Sequence, residues 1–363
     1  MSNPIPLCVD MDGTLLKIDT LLELLIGAVK QQPWVILLLP LWCFRGIAFV
    51  KRSLAARCAL RVDLLPENVE FAAFLQREKN QGRDLYLVTG AYSDVAEQVA
   101  ARYGFFSGVL ATTDKNLTGK AKADAMVNQF GEKGFDYAGN STVDCPCWER
   151  ARQCYLVNAS PAETKKINEK IVFTEKFDLQ SGLTLAVLLR ALRIHQWAKN
   201  ALIFVPLLAA HRVLEWELLR DTLLAFLVFG FCASFSYVLN DLCDLDADRQ
   251  HRSKCKRPFA SGVLAIPLGL AVAAILALSS VLISFMLPLK FFYSLLIYFV
   301  VTQAYTLRLK HIPILDVAVL AGLYALRVIA GGFSAQAETS FWLLAFSCFI
   351  FFSLAIVKRL SEL

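Results

Sequence analysis

A short, highly charged stretch between two long apolar runs constrains this chain most strongly. Residues 240–258 carry four aspartates followed by five arginines and lysines, and both flanking runs are long enough to cross a bilayer. Asp241, Asp244 and Asp248 are spaced three and four residues apart, so they would share one face of a continuous helix. Three like charges on one face repel one another unless a cation bridges them, and Mg²⁺ commonly sits between carboxylates and substrate phosphates. The stretch therefore predicts a metal and phosphate site at the mouth of a membrane helix.

The cations that follow these aspartates have two explanations. In the first, Arg249, Lys256 and Arg257 donate to phosphate oxygens, as guanidinium and ammonium groups do. In the second, they are the basic end of an ordinary cytoplasmic loop. The second explanation accounts for the cations but not for three carboxylates in register, so we expect a phosphate site.

The apolar residues are concentrated in the second half of the chain. Of the 363 residues 56% are hydrophobic, which is more than in a typical soluble domain. The net charge of +6 comes mostly from basic loops beside apolar segments, so we expect a lipid bilayer as partner and no nucleic acid. The oligomeric state stays open. Six apolar segments are predicted as membrane helices, at about 200–214, 222–240, 263–286, 291–307, 314–332 and 341–357.

The loop charges predict how these segments are oriented. If the first half of the chain faces the cytoplasm, twelve arginines and lysines fall in cytoplasmic connections and three in outer ones. Cytoplasmic loops of membrane proteins carry such an excess. We therefore predict a multi-pass protein of the cytoplasmic (inner) membrane, with the first half and the aspartate stretch both in the cytoplasm.

A charged residue interrupts the fifth apolar segment. An unpaired charge within a bilayer is costly, so Arg327 should face a polar cavity. Asp316, Tyr324 and Arg327 share a helix face, which would aim Tyr324 and Arg327 into one site beneath Asp316. The alternative is a purely structural ion pair between an arginine and an aspartate on neighbouring helices.

The first half of the chain has the pattern of an α/β domain. Short apolar runs at 5–9, 84–90, 108–113, 135–139 and 154–158 alternate with helical stretches, which predicts a doubly wound parallel sheet. Asp10 and Asp12 end the first run, where open α/β sheets place their active sites. Other chemistry-bearing residues follow the later runs, namely Thr89, Lys120, Lys122, Asn140 and Asp144.

These pieces, in this order, resemble the haloacid dehalogenase-like (HAD) phosphohydrolases over residues 1–178. The resemblance implies that Asp10 is a nucleophile forming an aspartyl-phosphate and that Asp12 is the general acid and base. It also implies that Thr89 binds phosphate and that Lys120 or Lys122 stabilises the phosphoryl charge. The implied Mg²⁺ ligands are Asp10, Asp12, Asn140 and Asp144.

Two features of this half leave alternatives open. The family's acidic motif begins with an aspartate where this chain has Asn140, so a degenerate scaffold competes with an active phosphatase. Residues 15–80 are predicted as a helical cap insertion, whose apolar run 33–44 is short of the ~20 residues of a spanning helix. That run either touches the membrane surface or forms an ordinary buried cap helix.

The second half resembles the UbiA superfamily of intramembrane prenyltransferases. Asn240 with Asp241, Asp244 and Asp248 follows the second helix as in that superfamily, and Arg257-Pro258 lies downstream. The segment 193–200 and the block 316–332 look most like decaprenyl-phosphate phosphoribosyltransferases. The resemblance implies Mg²⁺ on the three aspartates and substrate-binding roles for Arg193, Lys199, Asn200, Asn240, Arg249, Lys256, Arg257, Tyr324 and Arg327.

The superfamily has nine helices and a second acidic motif, for which Glu362 would supply the first acid. We therefore predict that 179–363 is an incomplete UbiA-like domain with about six of the nine helices.

Three functions fit the sequence. The leading one is a Mg²⁺-dependent transferase that acts on a polyprenyl (di)phosphate lipid and a diphosphate-bearing co-substrate, with a fused phosphatase that removes a phosphate from a phosphoribosyl-lipid product. The alternative is a membrane-anchored HAD phosphatase whose helices are only an anchor. The third is a non-enzymatic assembly partner.

Overall fold

The chain forms two compact units in the computed structural model, which describes residues 5–177, 184–309, 312 and 314–361. The first unit comprises Met1–Thr184 and Cys243–Ala265, and the second comprises Leu185–Leu242 and Ile266–Leu363. The predicted domain boundary at residue 178 and the predicted acid Glu362 lie outside the described residues.

A six-stranded sheet is the framework of the first unit. All neighbouring strands are parallel, in the order β3-β2-β1-β4-β5-β6. Five of the strands lie where the sequence predicts them, and the sixth is short and was not expected. The strands are β1 Leu7–Val9, β2 Leu85–Tyr92, β3 Gly108–Thr112, β4 Asp136–Gly139, β5 Cys154–Val157 and β6 Glu175–Phe177.

Helices cover both faces of this sheet, which confirms the predicted α/β architecture. One core contains Leu7 and Val9 from β1, and the other contains Cys8 with Trp148. Alternate side chains of β1 therefore pack into opposite layers, as expected for a strand buried on both faces. The helices that precede residue 184 are α1 Thr20–Gln31, α2 Val35–Phe44, α3 Ile47–Ala55, α4 Val69–Asn80, α5 Ser93–Tyr103, α6 Lys120–Phe130, α7 Cys145–Arg150 and α8 Pro161–Asn168.

The predicted insertion 15–80 divides into two parts. Helices α1 to α3 form the cap, and Asp19 caps α1 by accepting from the backbone N–H of Leu21 at 2.9 Å. Helix α4 instead packs against the sheet, with the ring of Phe71 centred 5.2 Å from that of Phe177 on β6. The cap therefore occupies only the first part of the insertion.

Residues 243–265 pack within the first unit, although the sequence places them between two apolar segments. They contain α12 Leu245–Gln250, and the side chains of Phe259 and Leu264 are buried. Arg249 forms a bidentate ion pair with Glu23 of α1, at 2.6 and 3.1 Å. Only 4% and 5% of these two side chains are exposed. The aspartate stretch is thus joined to the cap by a buried ion pair.

Apolar helices make up the second unit. Within the residues that the structure describes, three helices are long and apolar enough, by length and composition, to cross a membrane, namely Trp216–Cys243, Ile266–Ser284 and Leu315–Ser334. Its helices in chain order are α9 Leu185–Ala191, α10 Val205–Ala209, α11 Trp216–Cys243, α13 Ile266–Ser284, α14 Leu289–Leu307, α15 Leu315–Ser334 and α16 Phe341–Ser361.

The first predicted membrane segment, 200–214, is not one helix. Arg193 adopts a left-handed backbone conformation with φ of 51°, which ends α9. A 3-10 helix then runs over Ile194–Phe204 and is followed by α10. Trp197, in this 3-10 helix, donates to the Ser234 hydroxyl of α11 at 3.0 Å.

The prediction that three aspartates share one continuous helix face is wrong. Asp241 lies in α11 and Asp248 in α12, but the helix is interrupted at Asp244, whose φ and ψ are −104° and 17°. The spacing of three and four residues indicates a common face only while the backbone stays helical.

The Glu23–Arg249 ion pair gives a prediction about stability. Glu23→Gln should lower the free energy of unfolding by roughly 3–5 kcal/mol, because it leaves the Arg249 charge buried without its partner. The double replacement Glu23→Leu with Arg249→Met should recover most of that loss. Thermal denaturation in detergent measures both effects.

Asp63→Asn is the matched control, since Asp63 pairs with Arg61 at 2.9 Å in solvent and should change stability little. Equal losses for Glu23→Gln and Asp63→Asn would contradict the prediction.

Candidate active sites

Three polar side chains meet at the carboxyl edge of the sheet in the first unit. Asp10 follows β1, Thr89 lies in β2 and Asn140 follows β4, and these strands are neighbours. Gly13 has φ of +75°, and a Cβ atom there would collide with the Asn140 side chain. The glycine of the Asp-x-Asp-Gly motif therefore permits both the turn and this close approach.

Lys122 is the lysine that reaches this edge. Its ammonium donates to Asp10 Oδ1 at 2.8 Å, to the Tyr137 hydroxyl at 3.0 Å and to Asp144 Oδ1 at 3.3 Å. The side chain is buried, whereas Lys120, on the same helix, is exposed. Of the two lysines named by the resemblance, Lys122 is thus the one that contacts Asp10.

Burial sets the protonation equilibria of this cluster. It raises the pKa of Asp10 to about 6, although the Lys122 charge opposes the rise. Burial alone would lower the pKa of Lys122, but Asp10 and Asp144 raise it above its ordinary value. Lys122 is therefore a permanent positive charge beside the predicted nucleophile.

Asp12 occupies a different environment. Its carboxylate accepts from the backbone N–H and the hydroxyl of Thr20, both at 3.1 Å, at the start of α1. Burial, followed by the negative charges of Asp19 and Asp10, raises the pKa of Asp12 well above its usual range. A carboxyl group that holds its proton suits the predicted general acid.

The Asp144 side chain forms hydrogen bonds to the loop after β4. Its Oδ2 accepts from the backbone N–H groups of Asn140 and Ser141, both at 3.2 Å, and its Oδ1 accepts from Tyr137 and Lys122. These bonds fix the Asn140 backbone next to Gly13. The contacts indicate that Asp144 positions the loop and Lys122, whereas the sequence predicts it as a metal ligand.

Thr89 makes a local hydrogen bond and also lines the cavity. Its hydroxyl accepts from the backbone N–H of Ala91 at 3.1 Å, the local bond expected at a strand end. Thr89 also lines the cavity above Asp10, so a capping contact does not remove it from the site.

A cap lysine that sequence reasoning missed also lines this cavity. Lys51 of α3 donates to the Gly90 carbonyl at 2.5 Å and to Asn116 Oδ1 at 2.6 Å, and burial lowers its pKa. The cavity measures about 330 Å³. No sequence signal distinguishes Lys51 from the other basic residues of the cap. The cavity is lined by Asp10, Asp12, Asp19, Thr20, Lys51, Thr89, Lys122, Asn140, Ser141 and Asp144, among others.

The donor set of this cavity fits a hard divalent cation. Asp10, Asp12 and Asn140 face it together and offer carboxylate and amide oxygens, the ligands that Mg²⁺ prefers. In the described part of the chain, no three His, Cys, Asp or Glu side chains converge closely enough to hold a metal alone. The Asn140 amide oxygen could add a ligand to the two carboxylates.

The second unit contains a polar cavity of about 390 Å³. Five predicted substrate-binding residues line it, namely Arg193, Lys199, Asn240, Tyr324 and Arg327. Among the described residues of its lining there are three cations and no carboxylate. The sequence did not predict its other polar residues, Gln196, Ser236, Tyr237, Tyr298, Thr302, Tyr305 and Thr306.

Arg327 is held in this cavity by uncharged partners. Its guanidinium donates to Asn200 Oδ1 at 2.9 Å and to the Tyr298 hydroxyl at 3.0 Å. It also lies over the Tyr298 and Tyr324 rings, 4.9 and 5.4 Å from their centres. Asp316 accepts from Tyr305 at 2.6 Å. The polar cavity predicted for Arg327 is present, and Asn200 contacts Arg327 from a buried position.

The predicted aspartates are engaged by arginines. Asp241 is paired with Arg193, whose guanidinium also lies 5.1 Å from the centre of the Tyr237 ring. In the first unit, Asp248 accepts from Arg257 at 2.6 Å. Each carboxylate is thus placed to bind a cation, and a metal there would compete with a guanidinium group. Asp244 and Lys256 lie in the same loop of the first unit as Asp248.

Restoring a carboxylate at Asn140 gives a prediction about metal affinity. Asn140→Asp should tighten Mg²⁺ binding roughly tenfold, about 1.4 kcal/mol, because it adds a negative charge to the two facing aspartates. Isothermal titration of the full chain with MgCl₂ measures this, and the relevant binding step is the one lost in Asp10→Asn.

Asn80→Asp, at the exposed end of α4, is the matched control. An Mg²⁺ affinity that Asn140→Asp leaves unchanged would exclude Asn140 as a ligand.

Family models match both halves of the chain. Residues 7–148 match the haloacid dehalogenase-like hydrolases, and residues 201–362 match the UbiA prenyltransferase family. Both resemblances expected from the motifs are thereby confirmed.

Known proteins resemble the chain over different extents. The decaprenyl-phosphate phosphoribosyltransferase of Mycolicibacterium smegmatis is 35% identical over 180 residues, which cover 48% of this chain and 57% of that protein. A solved UbiA homolog from Archaeoglobus fulgidus, bound to DMAPP and Mg²⁺, is 22% identical to this chain, with a TM-score of 0.42. The match covers 48% of this chain and 63% of that homolog. The chain thus spans little more than half the length of that phosphoribosyltransferase.

The protein y4nM of Sinorhizobium fredii matches nearly the whole chain. It is 34% identical over 360 residues, which are 99% of this chain and 69% of that protein. The chain therefore belongs to the same family as y4nM, and within it this chain joins a haloacid dehalogenase-like hydrolase domain to a UbiA prenyltransferase domain.

Proposed function

We propose that the chain contributes a transferase acting on a polyprenyl (di)phosphate lipid and a phosphatase acting on the phosphoribosyl-lipid product. The observation that carries the proposal is the cationic cavity of the second unit, in which three cations and four tyrosines converge without a lining carboxylate among the described residues. Phosphate oxygens are the natural ligands of such a set of donors. The similarity to a phosphoribosyltransferase favours a phosphoribosyl group over a prenyl group as the part transferred.

In the proposed transfer, Arg193, Lys199 and Arg327 bind and neutralise the phosphates of the two substrates. The Tyr237, Tyr298 and Tyr324 residues place hydroxyl groups and ring faces beside them. A diphosphate leaves from the ribosyl C1 carbon as the lipid phosphate oxygen forms its bond there. Positive charge that is fixed before the reaction stabilises the leaving diphosphate.

Metal binding by the aspartate stretch is part of this proposal. Asp241 with Asn240 in the second unit, and Asp244 with Asp248 in the first, would each offer oxygen ligands to a Mg²⁺ ion, which supplies positive charge to a departing diphosphate. The arginines now paired with Asp241 and Asp248 would then be available to phosphate oxygens. This exchange of partners explains why the stretch contains both charges.

In the proposed phosphatase reaction, Asp10 attacks the phosphorus atom of a phosphate monoester. The bond to the alcohol oxygen breaks, and Asp12 gives that oxygen its proton. Asp12 then takes a proton from the water that attacks the aspartyl-phosphate, which releases inorganic phosphate and restores Asp10. Lys122 stabilises the charge on the phosphoryl oxygens, and Mg²⁺ bound by Asp10 and Asn140 would add further positive charge.

The two reactions are connected by their chemistry. Transfer of a phosphoribosyl group to a lipid phosphate leaves a phosphate monoester on the ribose, which is the substrate class of the first unit. We place both sites on the cytoplasmic side of the inner membrane, because the basic connections accumulate there.

Replacing Arg327 should lower the transferase activity and leave the fold intact. Arg327→Met should lower lipid transfer at least about a hundredfold, the typical cost of losing a charged donor to a developing anion. Membranes containing the full chain, a polyprenyl phosphate and a labelled phosphoribosyl diphosphate provide the assay. Arg308→Met, at the exposed end of α14, is the matched control.

A transfer rate that is unchanged in Arg327→Met would refute the cavity as the transferase site. Thermal denaturation distinguishes a loss of transfer from a loss of fold.

The second candidate, a membrane-anchored phosphatase, is favoured by the arrangement of Asp10 with Lys122. Asp10→Asn and Lys122→Met should each lower phosphate release from a phosphate monoester by at least about a hundredfold, whereas Lys120→Met should retain it. Phosphate release that survives in the full chain while lipid transfer is absent would support the anchored phosphatase. Release that persists in Asp10→Asn would exclude a phosphatase in the first unit.

A further inference from the structure

The cap of the first unit has one uncovered apolar face. Helix α2 is apolar all round, and the side chains on one side of it remain in solvent, with exposed fractions of 54% for Ile36, 76% for Leu37, 62% for Leu41 and 90% for Phe44. These positions and Pro40 are spaced one, four, five and eight residues from Ile36, which places them on a single stripe.

The opposite face of α2 is fixed to the cap. Val35 is fully buried and Trp42 nearly so, and the guanidinium of Arg57 lies 4.6 Å from the centre of the Trp42 ring. The exposed stripe therefore belongs to a packed helix, which excludes the ordinary buried cap helix as an explanation of the apolar run.

The sequence on both sides of the stripe has charges of one sign. From residue 24 to residue 62 the chain has no aspartate or glutamate. Five cations of this range are exposed to solvent, namely Lys30, Arg45, Arg52, Arg57 and Arg61. Apolar side chains flanked by basic residues are typical of helices that lie in the interface of an anionic bilayer.

Chain connectivity holds the first unit to a membrane. Cys243–Ala265, which belongs to this unit, begins at the end of one candidate span and stops where the next begins. Residues of this segment, such as Phe259 and Leu264, are buried. The chain therefore links the unit that contains the cap directly to two helices that can cross a bilayer.

The size of the stripe disfavours a protein partner. From Ile36 to Phe44 it is roughly 12 Å long, at 1.5 Å per residue. A stable dimer needs about 800 Å² of buried surface per partner, which a stripe of one short helix does not provide. The helix has ten residues, about half of the ~20 that a spanning helix needs.

We infer that α2 is a membrane-docking helix of the hydrolase cap, whose apolar stripe enters the headgroup and acyl boundary of an anionic bilayer while the surrounding cations contact lipid phosphates. The inference does not depend on the reaction proposed for either unit. It assigns the stripe one occupant, the lipid bilayer, and makes the cap a peripheral membrane contact in addition to the spanning helices.

The test reconstitutes the full chain in vesicles and activates an apolar carbene probe dissolved in the bilayer. The vesicles contain phosphatidylcholine alone or phosphatidylcholine mixed with phosphatidylglycerol, and mass spectrometry locates the labelled peptides. We expect the peptide containing residues 34–44 to be labelled several-fold more than the peptide containing Val172, an exposed apolar residue of the same unit. We expect the labelling to increase with the anionic lipid.

The double variant Leu37→Glu with Leu41→Glu should reduce that labelling to the level of Val172, and both positions are exposed enough to accept the change without unfolding. Val172→Glu is the matched control and should leave the labelling of α2 unchanged.

Labelling of α2 equal to that of Val172 in both kinds of vesicle would overturn the inference. Labelling that falls as more copies are placed in each vesicle would also overturn it, because a second copy would then cover the stripe.

Discussion

The buried ammonium of Lys122 is the interaction on which the hydrolase unit depends. Without it, Asp10 and Asp144 would bring two negative charges into one desolvated space at the edge of the sheet. With it, one carboxylate is free to be a nucleophile and the other can hold the loop that carries Asn140. The strand order places this loop next to Asp10, because β4 lies beside β1 in the sheet. A single charge thus organises both the packing and the chemistry of this edge.

The second unit also contains a buried charge, and it stabilises that charge with different groups. Arg327 is also a buried charge, but its partners are an amide, a hydroxyl and aromatic rings. These groups satisfy the guanidinium geometry without cancelling its charge. The difference between the two units is consistent with the functions proposed for them. A nucleophilic carboxylate benefits from a neighbouring positive charge, whereas phosphate oxygens bind to a cation such as Arg327 that no carboxylate neutralises.

Much of this fold could be predicted from the sequence, and the failures have physical causes. Five strands and the residues that end them were predicted because apolar runs, glycine and acids mark parallel strands locally. The aspartate register failed at Asp244, since spacing alone does not reveal where a helix is interrupted. Lys51 was missed because its role comes from tertiary contacts with Gly90 and Asn116, far away in sequence. The charge of Arg327 inside an apolar segment, in contrast, predicted its cavity directly.

The ion pair between Arg249 and Glu23 limits how this chain can be divided. A gene fission after residue 177 would deprive the cap of Cys243–Ala265, leaving a buried acid without its counter-charge and the surface under Phe259 uncovered. Conversely, the second half of the chain, if expressed without the first, would contain Arg249 without Glu23, its ion-pair partner. The two units are therefore interleaved along the sequence, and they are expected to be inherited together.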